Sequence, residues 1–590
     1  MHQGQLGAVG WAVSGGRRSA RRRAALTVVL ATALAVAGSS RAQSPPPADN
    51  RPAGVLPSPA QLAPRPGLVT DGRDLPPQPQ APRELEKPQG DLTLDVRGYE
   101  LSANAPPALV AALPTLLAPY VGRQRSYEDL VNAAADVTRW LQREAGYYLG
   151  YAYLPEQQPS DGLVRIQVLE GRLDRIDTSG WPDDLPVRRE VVDGYLARLK
   201  PGEILRVDEL ERVVFLINDL RGISARFDIV QGRLPGTASL RVTGQADERW
   251  SGKVDADVNG SRFLGTGRVG GLLAGNSLLG RGDALTVNAL ASSNAGLLFG
   301  LLGYTLPVGH DGVKLGASLS LLRYKLDPAQ FPLGVNGEAA ALSSYALYPW
   351  VRSRNLNLFV VGTLDHKRNT DRQVSAQHRQ ISSLTLGLTG DVRDNWLGGA
   401  VSTFEANLAA GEVRYDADSV PNVDDAPRYT RLTLSLNRLQ QVIDGRLLLY
   451  TALRAQHAQD NLDSSEQFRI GGPDGVRAFA PGEGTGDSGL VLTTELRLLP
   501  PEAWLGRLAR EMVFSAFVDH GRLRFRHDPS RQRADFVNTA LYTGAGLALA
   551  WERPHAFALR VSLATPLAGQ ARSDTRPRNP RLYAQYSLFY

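Results

Sequence analysis

The sequence predicts a transmembrane β-barrel of about sixteen antiparallel strands, preceded by two small α+β domains. Three observations predict it. Apolar and polar residues alternate with period two in segments of about ten residues, from position 247 to Tyr590. Ahead of that region, one order of strands and helices occurs twice in succession. The N-terminus carries an export signal, and nowhere else do about 18 uninterrupted apolar residues mark a spanning helix.

The export signal occupies residues 1–42. Arg17, Arg18, Arg21, Arg22 and Arg23 form its basic region, Ala24 to Ala37 its apolar core, and Ser40-Arg41-Ala42 its small-x-small cleavage site. The apolar core is about five residues too short to span a bilayer as a helix. The arginine cluster supplies much of the net charge of +6, so no nucleic-acid partner is expected. Residues 43–91 are dense in Pro and Gln and read as an extended periplasmic linker. The chain has no cysteine, which excludes disulfides and thiolate metal sites. A closed sheet has no need of either.

The first repeat spans 92–172. It opens on a strand at Leu92, Leu94 and Val96 and continues with a short helix around Leu109 and Leu113. Ser126, with Asp129 three residues on, caps a stronger helix whose Leu130, Ala134, Val137 and Leu141 keep helical spacing up to Gly146. Strands at Tyr151–Leu154 and Leu163–Leu169 close the unit. The second repeat, 173–246, has the same βααββ order: a strand at Leu173–Thr178, helices at Val191–Leu199 and Val207–Leu220, then strands at Ala225–Val230 and Ala238–Val242.

From 247 to 590 the helical period disappears. Leu315, Ala317, Leu319 and Leu321 alternate with Lys314, Gly316, Ser318 and Ser320. Leu432, Leu434 and Leu436 alternate with Arg431, Thr433 and Ser435. A soluble sandwich also alternates, but the length and number of these segments favour a barrel in lipid. A cylinder of sixteen strands leaves a lumen that wall side chains cannot fill, so it is wet or plugged.

One candidate plug is the Gly-rich stretch from Phe468 to Phe479, within a fold-back loop near 459–489. It carries Val476, Arg477, Ala478 and Phe479, a bulky core that a purely exposed loop rarely needs. Farther on, Phe517-Val518-Asp519-His520-Gly521 lies on a strand whose greasy face holds Met512, Phe514, Ala516 and Val518. Asp519 therefore faces the lumen with Phe517. An Arg477–Asp519 pair would pin the loop inside the barrel. The alternative is a solvated arginine and an unrelated lumen aspartate. Gly482, Gly484 and Gly486 precede a strand and read as flexible loop rather than a nucleotide-binding turn. His520 falls on the lipid-facing parity, which discounts a catalytic pair with Asp519.

At these residues the chain resembles the Omp85 superfamily. The loop is similar to its Val-Arg-Gly-Tyr/Phe motif, the Asp519 strand to its Phe-x-Asp-x-Gly motif (Phe517, Asp519, Gly521), and the repeats to POTRA domains. Pro119-Tyr120-Val121-Gly122, Gly146-Tyr147, Ala152 to Gln157, Asp161-Gly162 and Val168 to Gly171 resemble the first POTRA of two-partner secretion transporters of the haemolysin-secretion type. The resemblance covers about Leu92 to Tyr590 and implies an outer-membrane transporter that secretes a partner exoprotein. Its POTRA units would receive unfolded cargo from the periplasm. The pairing of Arg477 with Asp519 is part of what it implies. So is a C-terminal strand (Tyr586, Leu588, Tyr590) read by the barrel-assembly machinery. Ala478 departs from the family's glycine, which restricts positive φ at the loop tip. The Pro-dense stretch after Gln43 does not supply the plug helix that many members carry.

For cargo, β-augmentation on a sheet edge or a helix–strand groove is the physical route. The candidate groove is lined by Leu130, Val137, Leu141, Ala152, Tyr153 and Leu154. No hydrolase elbow, zincin or Walker motif occurs, so neither an enzyme, a cofactor nor a metal is expected. A monomer in outer-membrane lipid is expected. Three rival readings are an Omp85-type barrel-assembly factor, a passive porin and a secreted hydrolase with a β-sandwich. Two POTRA units argue against the first, and their presence argues against the second.

Overall fold

The computed structural model describes residues 93–158, 161–234, 236–329, 334–373, 376–572, 574 and 578–590. The expected signal peptide and linker lie outside them. The first unit contains β1 (Thr93–Val96), β2 (Gly98–Leu101), α1 (Pro107–Leu116), β3 (Gly122–Ser126), α2 (Tyr127–Arg143), β4 (Tyr151–Tyr153) and β5 (Leu163–Leu169). Ser126 and Asp129 cap α2 reciprocally, side chain to backbone in both directions. The helix ends at Arg143, and Gly146 takes its left-handed turn (φ 67°) beyond the cap at Glu144.

The βααββ order needs correction here. β2 and β3 are additional strands. β2 runs parallel to β5, and β3 pairs with β1 while Asp95 accepts the Gln124 amide at 2.9 Å. Gly-Arg-Gln-Arg-Ser carries no alternation, because this strand is held by backbone and side-chain hydrogen bonds rather than by a buried face.

The second unit comprises β6 (Arg172–Asp177), α3 (Arg189–Leu196), α4 (Val207–Asn218), β7 (Ile223–Gln231) and β8 (Thr237–Ala246), with sheet order β6-β8-β7. The apolar face of α4, including Leu210, Val213, Val214 and Ile217, is fully buried against that sheet.

The rest is a closed barrel of sixteen antiparallel strands. They are β9 (Trp250–Asp257), β10 (Arg268–Asn276), β11 (Ala284–Ser292), β12 (Leu297–Val308), β13 (Val313–Lys325), β14 (Asn336–Arg352), β15 (Leu356–Arg372), β16 (Ala376–Asp394), β17 (Ala400–Tyr415), β18 (Arg428–Ile443) and β19 (Leu447–Ala458). After the loop strands β20 (Phe468–Arg469) and β21 (Thr485–Gly486) come β22 (Ser488–Leu498), β23 (Met512–Arg524), β24 (Thr539–Arg553), β25 (Phe557–Ala568) and β26 (Arg581–Phe589). β26 closes on β9 from Gln585↔Asp257 to Phe589↔Lys253. The alternation resolves into two faces. Leu298, Leu321, Leu342, Leu364 and Leu547 are each more than half exposed on the outside, where lipid takes the place of a protein core. No helix among the described residues is long and apolar enough to cross a membrane.

The second unit docks on the turns before β13 and β15, the end of the barrel expected to face the periplasm. Asp219 accepts two hydrogen bonds from Arg352, at 2.9 and 2.6 Å. Arg212 donates to Pro349 O (2.9 Å) and Asp311 O (3.1 Å), and the Arg354 amide donates to Glu211 (3.0 Å).

Candidate functional site

Between β19 and β22 the chain turns back into the barrel. β20 and β21 pair as a short hairpin, Phe468↔Gly486 and Arg469↔Thr485. Phe468, Ile470, Val476, Ala478 and Phe479 bury themselves against the lumen-facing Val491, Phe517, Leu523, Tyr542 and Ala564. This explains the bulky core in a Gly-rich segment: the loop contributes a hydrophobic core to the lumen, and burial fixes it there. The expectation of a flexible stretch at Gly482, Gly484 and Gly486 is therefore corrected. Gly484 and Gly486 are buried, and Gly486 is part of the hairpin.

Gly521 has a steric reason. A Cβ there would stand 2.6 Å from Ile470 Cδ1 and 2.9 Å from Val476 Cγ2, so only a bare backbone admits the loop. Gly544 does the same for Ala478, whose methyl group points at it. Ala478 does not take a positive φ. The tip thus has no need of the conformation that glycine would have permitted.

The structure brings Arg477 and Asp519 together. Arg477 Nε donates to Asp519 Oδ2 at 2.8 Å and Nη2 to Oδ1 at 2.7 Å, a two-pronged contact. The Arg477 amide adds a third bond to Oδ2 at 3.0 Å, and Thr493 Oγ1 donates to Oδ1 at 2.9 Å. The guanidinium carbon lies 3.3 Å from the Phe517 ring centroid. Asp519 is fully buried, so these partners must replace the water its carboxylate has lost. Phe479 meets Tyr542 edge-on at 4.7 Å, and its carbonyl accepts from Tyr583 Oη at 2.8 Å.

Sequence reasoning missed Glu495 on β22, which accepts from Arg477 Nη1 at 2.7 Å and from Arg497 Nε at 2.9 Å. Its place among the polar alternators of that strand was the available signal. It also missed the acidic anchors along the loop. Asp463 Oδ2 lies 2.7 Å from Arg379 Nε. Glu466 Oε1 accepts from Lys367 Nζ at 2.7 Å. Glu483 accepts the backbone amides of Arg572 (2.6 Å) and Asp574 (3.2 Å), and Asp487 accepts that of His527 (2.9 Å). Among the described residues no group of side chains could hold a metal ion.

The predicted cargo groove needs correction. Leu130, Val137, Leu141 and Ala152 are core residues, between 0% and 7% exposed, because the spacing that makes α2 amphipathic aims that face at the sheet. Tyr153 and Leu154 are half-buried at the surface, and Tyr153 stacks on Tyr151 at 6.2 Å. The edge of β4 is occupied too. Thr138 Oγ1 on α2 accepts the Ala152 amide at 2.9 Å and lies 3.2 Å from the Ala152 carbonyl oxygen. Tyr586, Leu588 and Tyr590 share the outer face at the seam with β9, where the Tyr590 amide donates to Gly252 O. His520 sits on the outer parity, its Nδ1 3.0 Å from Thr543 Oγ1.

Comparison with known proteins agrees with this architecture. Residues 236–550 match the family described as haemolysin secretion/activation protein ShlB/FhaC/HecB, and residues 94–171 match the ShlB-type POTRA domain. The heme/hemopexin transporter protein HuxB of Haemophilus influenzae is 27% identical over 482 residues, 79% of this chain and 82% of that protein. The outer membrane transporter CdiB of Dickeya dadantii is 26% identical over 444 residues, 73% and 75% of the two chains. Among solved structures, CdiB from Escherichia coli superposes with a TM-score of 0.66 at 20% identity, covering 98% of this chain and 100% of that one. BamA from Haemophilus ducreyi lacking POTRA domains 1–3 shares the fold at a TM-score of 0.51 and 15% identity, over 85% and 100%.

Proposed function

The chain belongs to the haemolysin secretion/activation family of ShlB, FhaC and HecB, outer-membrane transporters of a partner exoprotein, and from that premise we propose how it works. The POTRA units, in the periplasm, receive the exoprotein as an unfolded chain. The loop from 459 to 487 stands in its way at rest and withdraws to let it through. Arg477 is the latch, Asp519 and Glu495 the catch, and Gly521 and Gly544 make room for the latched loop.

The observation that carries this reading is the buried ion cluster at the loop tip. Three hydrogen bonds from one arginine residue to one fully buried carboxylate are far more than a passing loop requires. A cluster of that kind holds well when complete and fails when one member is lost, because the remaining charge is stranded. Such all-or-none behaviour suits a gate. A passive porin would gain nothing from a hydrophobic plug in its lumen.

In the first POTRA unit the receiving surface is the half-exposed aromatic pair Tyr151 and Tyr153 with Leu154. An extended segment can lie across those rings without opening the domain. The continuous pairing of β26 with β9 supports a sealed wall, and it counts against a barrel-assembly factor working through an open seam. The outer face of β26, with Tyr586, Leu588 and Tyr590, is the segment the barrel-assembly machinery would read, and the protein works as a monomer.

Ion leakage through the purified protein tests the latch. Arg477→Ala and Asp519→Ala should each leave the barrel folded and raise ion leakage through purified protein in planar bilayers. The double variant should leak little more than either alone, since each single change already breaks the same contact. Strictly additive leakage would show that the two side chains act independently and would remove the latch from the mechanism.

A further inference from the structure

The arm of the loop carries a second charged contact that differs from the latch. Glu466 is completely buried between Lys367 on β15 and Arg431 on β18. Lys367 Nζ donates to Oε1 at 2.7 Å, while Arg431 Nη2 stands 2.8 Å from Oε2 without alignment for a hydrogen bond. Oε2, Arg431 Nε and Tyr429 Oη are all buried without a hydrogen-bonding partner among the described residues. Burial would raise the Glu466 carboxyl, but Lys367 and Arg431 more than offset it and hold the pKa at about 2. The site therefore stays charged at ordinary pH, yet one glutamate does not use all of its donors.

Both cations belong to the wall, whereas the carboxylate belongs to the part that moves. Each lies toward the outer end of its strand, opposite the end where the second POTRA unit docks. Once the loop leaves, Lys367 and Arg431 face the lumen without that carboxylate, and among the described residues Arg431 keeps only the neutral Gln456, which accepts from its Nη1 at 3.2 Å. An uncompensated cation pair in a confined, partly dry space recruits the next carboxylate that passes.

We propose that Lys367, Arg431 and Tyr429 form a carboxylate-binding site near the exit of the lumen, filled at rest by Glu466 and taken over during export by Asp or Glu side chains of the transiting polypeptide. The loop's own glutamate is a tethered competitor. Its displacement by cargo would keep the loop out for as long as acidic segments are passing. The identity of the ligand rests on the transport reading above, but the site can be tested without export.

The test uses the full-length protein in detergent, an unstructured Glu-rich peptide, and a zero-length carbodiimide that couples carboxylates to lysine. Without peptide, mass spectrometry should find Lys367 joined to Glu466. In Glu466→Gln the peptide should couple to Lys367 instead, and a Ser/Gly peptide of equal length ending in an amide should not. In planar bilayers, the acidic peptide should dwell in the Glu466→Gln channel at least about tenfold longer than in Glu466→Gln/Arg431→Met, the ratio lost with ~1.4 kcal/mol of binding. Heat-modifiable migration on gels checks that each barrel is folded. Equal dwell times, or a peptide that never couples to Lys367, would overturn the site. The latch would be untouched by that result, since it is judged on Arg477 and Asp519.

Discussion

The two POTRA units follow one plan but are held in opposite ways. In each, the last helix lies on the sheet and clasps an alanine of the following strand, Thr138 to Ala152 in the first and Asn218 to Ala225 in the second. The first unit leans on the second through backbone bonds, Tyr148 N to Leu205 O at 2.8 Å and Val207 N to Gly146 O at 2.9 Å. The second is bolted to the barrel through charged side chains. Arg352, 4% exposed, holds Asp219 with two hydrogen bonds, reaches Asn357 at 2.7 Å, and lies 5.2 Å from the Phe215 ring. The same architecture is thus a mount at one place and, in the function proposed above, a receiving surface at the other. The difference resides in the few polar residues at the end of a helix, not in the fold.

The largest expected effect breaks the mount. Asp219→Ala leaves Arg352 buried without its carboxylate and should cost about 3 kcal/mol of docking energy, the low end for a broken buried pair because Asp219 is partly exposed. Hydrogen exchange should speed up in α4 and in the turn at 352–356 while the barrel strands stay protected. Unchanged exchange in α4 would mean that the apolar contacts alone hold the unit.

The next prediction separates core from surface in the first unit. Leu141→Ala removes a fully buried side chain and should destabilise that unit by about 3 kcal/mol. Tyr153→Ala should change stability by less than about 0.5 kcal/mol but weaken binding of the partner's receiving segment. Hydrogen exchange in α2 of the full-length protein checks the first half, and a pull-down with the partner checks the second. If Tyr153→Ala unfolded the unit as Leu141→Ala does, the aromatic pair would be structural rather than receptive.

What the sequence revealed follows from which interactions are periodic. The barrel was legible because each strand repeats the same polar-apolar decision, as in Leu315 to Leu321, and lipid and lumen enforce it at every step. The latch was legible through parity, which put Asp519 on the lumen face, and through a bulky Val-Arg-x-Phe core where solvent would have tolerated anything. Glu466, Asp219 and β3 were not legible. Glu466 meets Lys367 across a long stretch of sequence, Asp219 meets Arg352 across another, and β3 has no buried face to give it a period. The cargo groove was misread for a related reason. Helical spacing identifies the face that is buried, and the binding surface must then be sought among the residues that break the period, such as Tyr153.

The smallest of the expected destabilisations by a lost internal contact bears most directly on how cargo is received. Thr138→Val removes a hydroxyl that satisfies the Ala152 amide, and Asn218→Ala removes the corresponding pair of bonds to Ala225, 2.7 and 3.1 Å long. Each should cost about 1 kcal/mol, because water can reach these edges and replace part of what is lost. Their effects on cargo should differ. In the first unit the loss frees the outward backbone groups of β4, so an extended segment could add to the sheet there. If strand addition is the natural route, Thr138→Val should bind the partner more tightly despite its lower stability, and Asn218→Ala should leave binding unchanged. If the segment instead lies across Tyr151 and Tyr153, Thr138→Val should bind no better than the unaltered chain, since the rings it would touch are the same. Measuring both variants side by side by surface-immobilised binding decides between the edge and the rings.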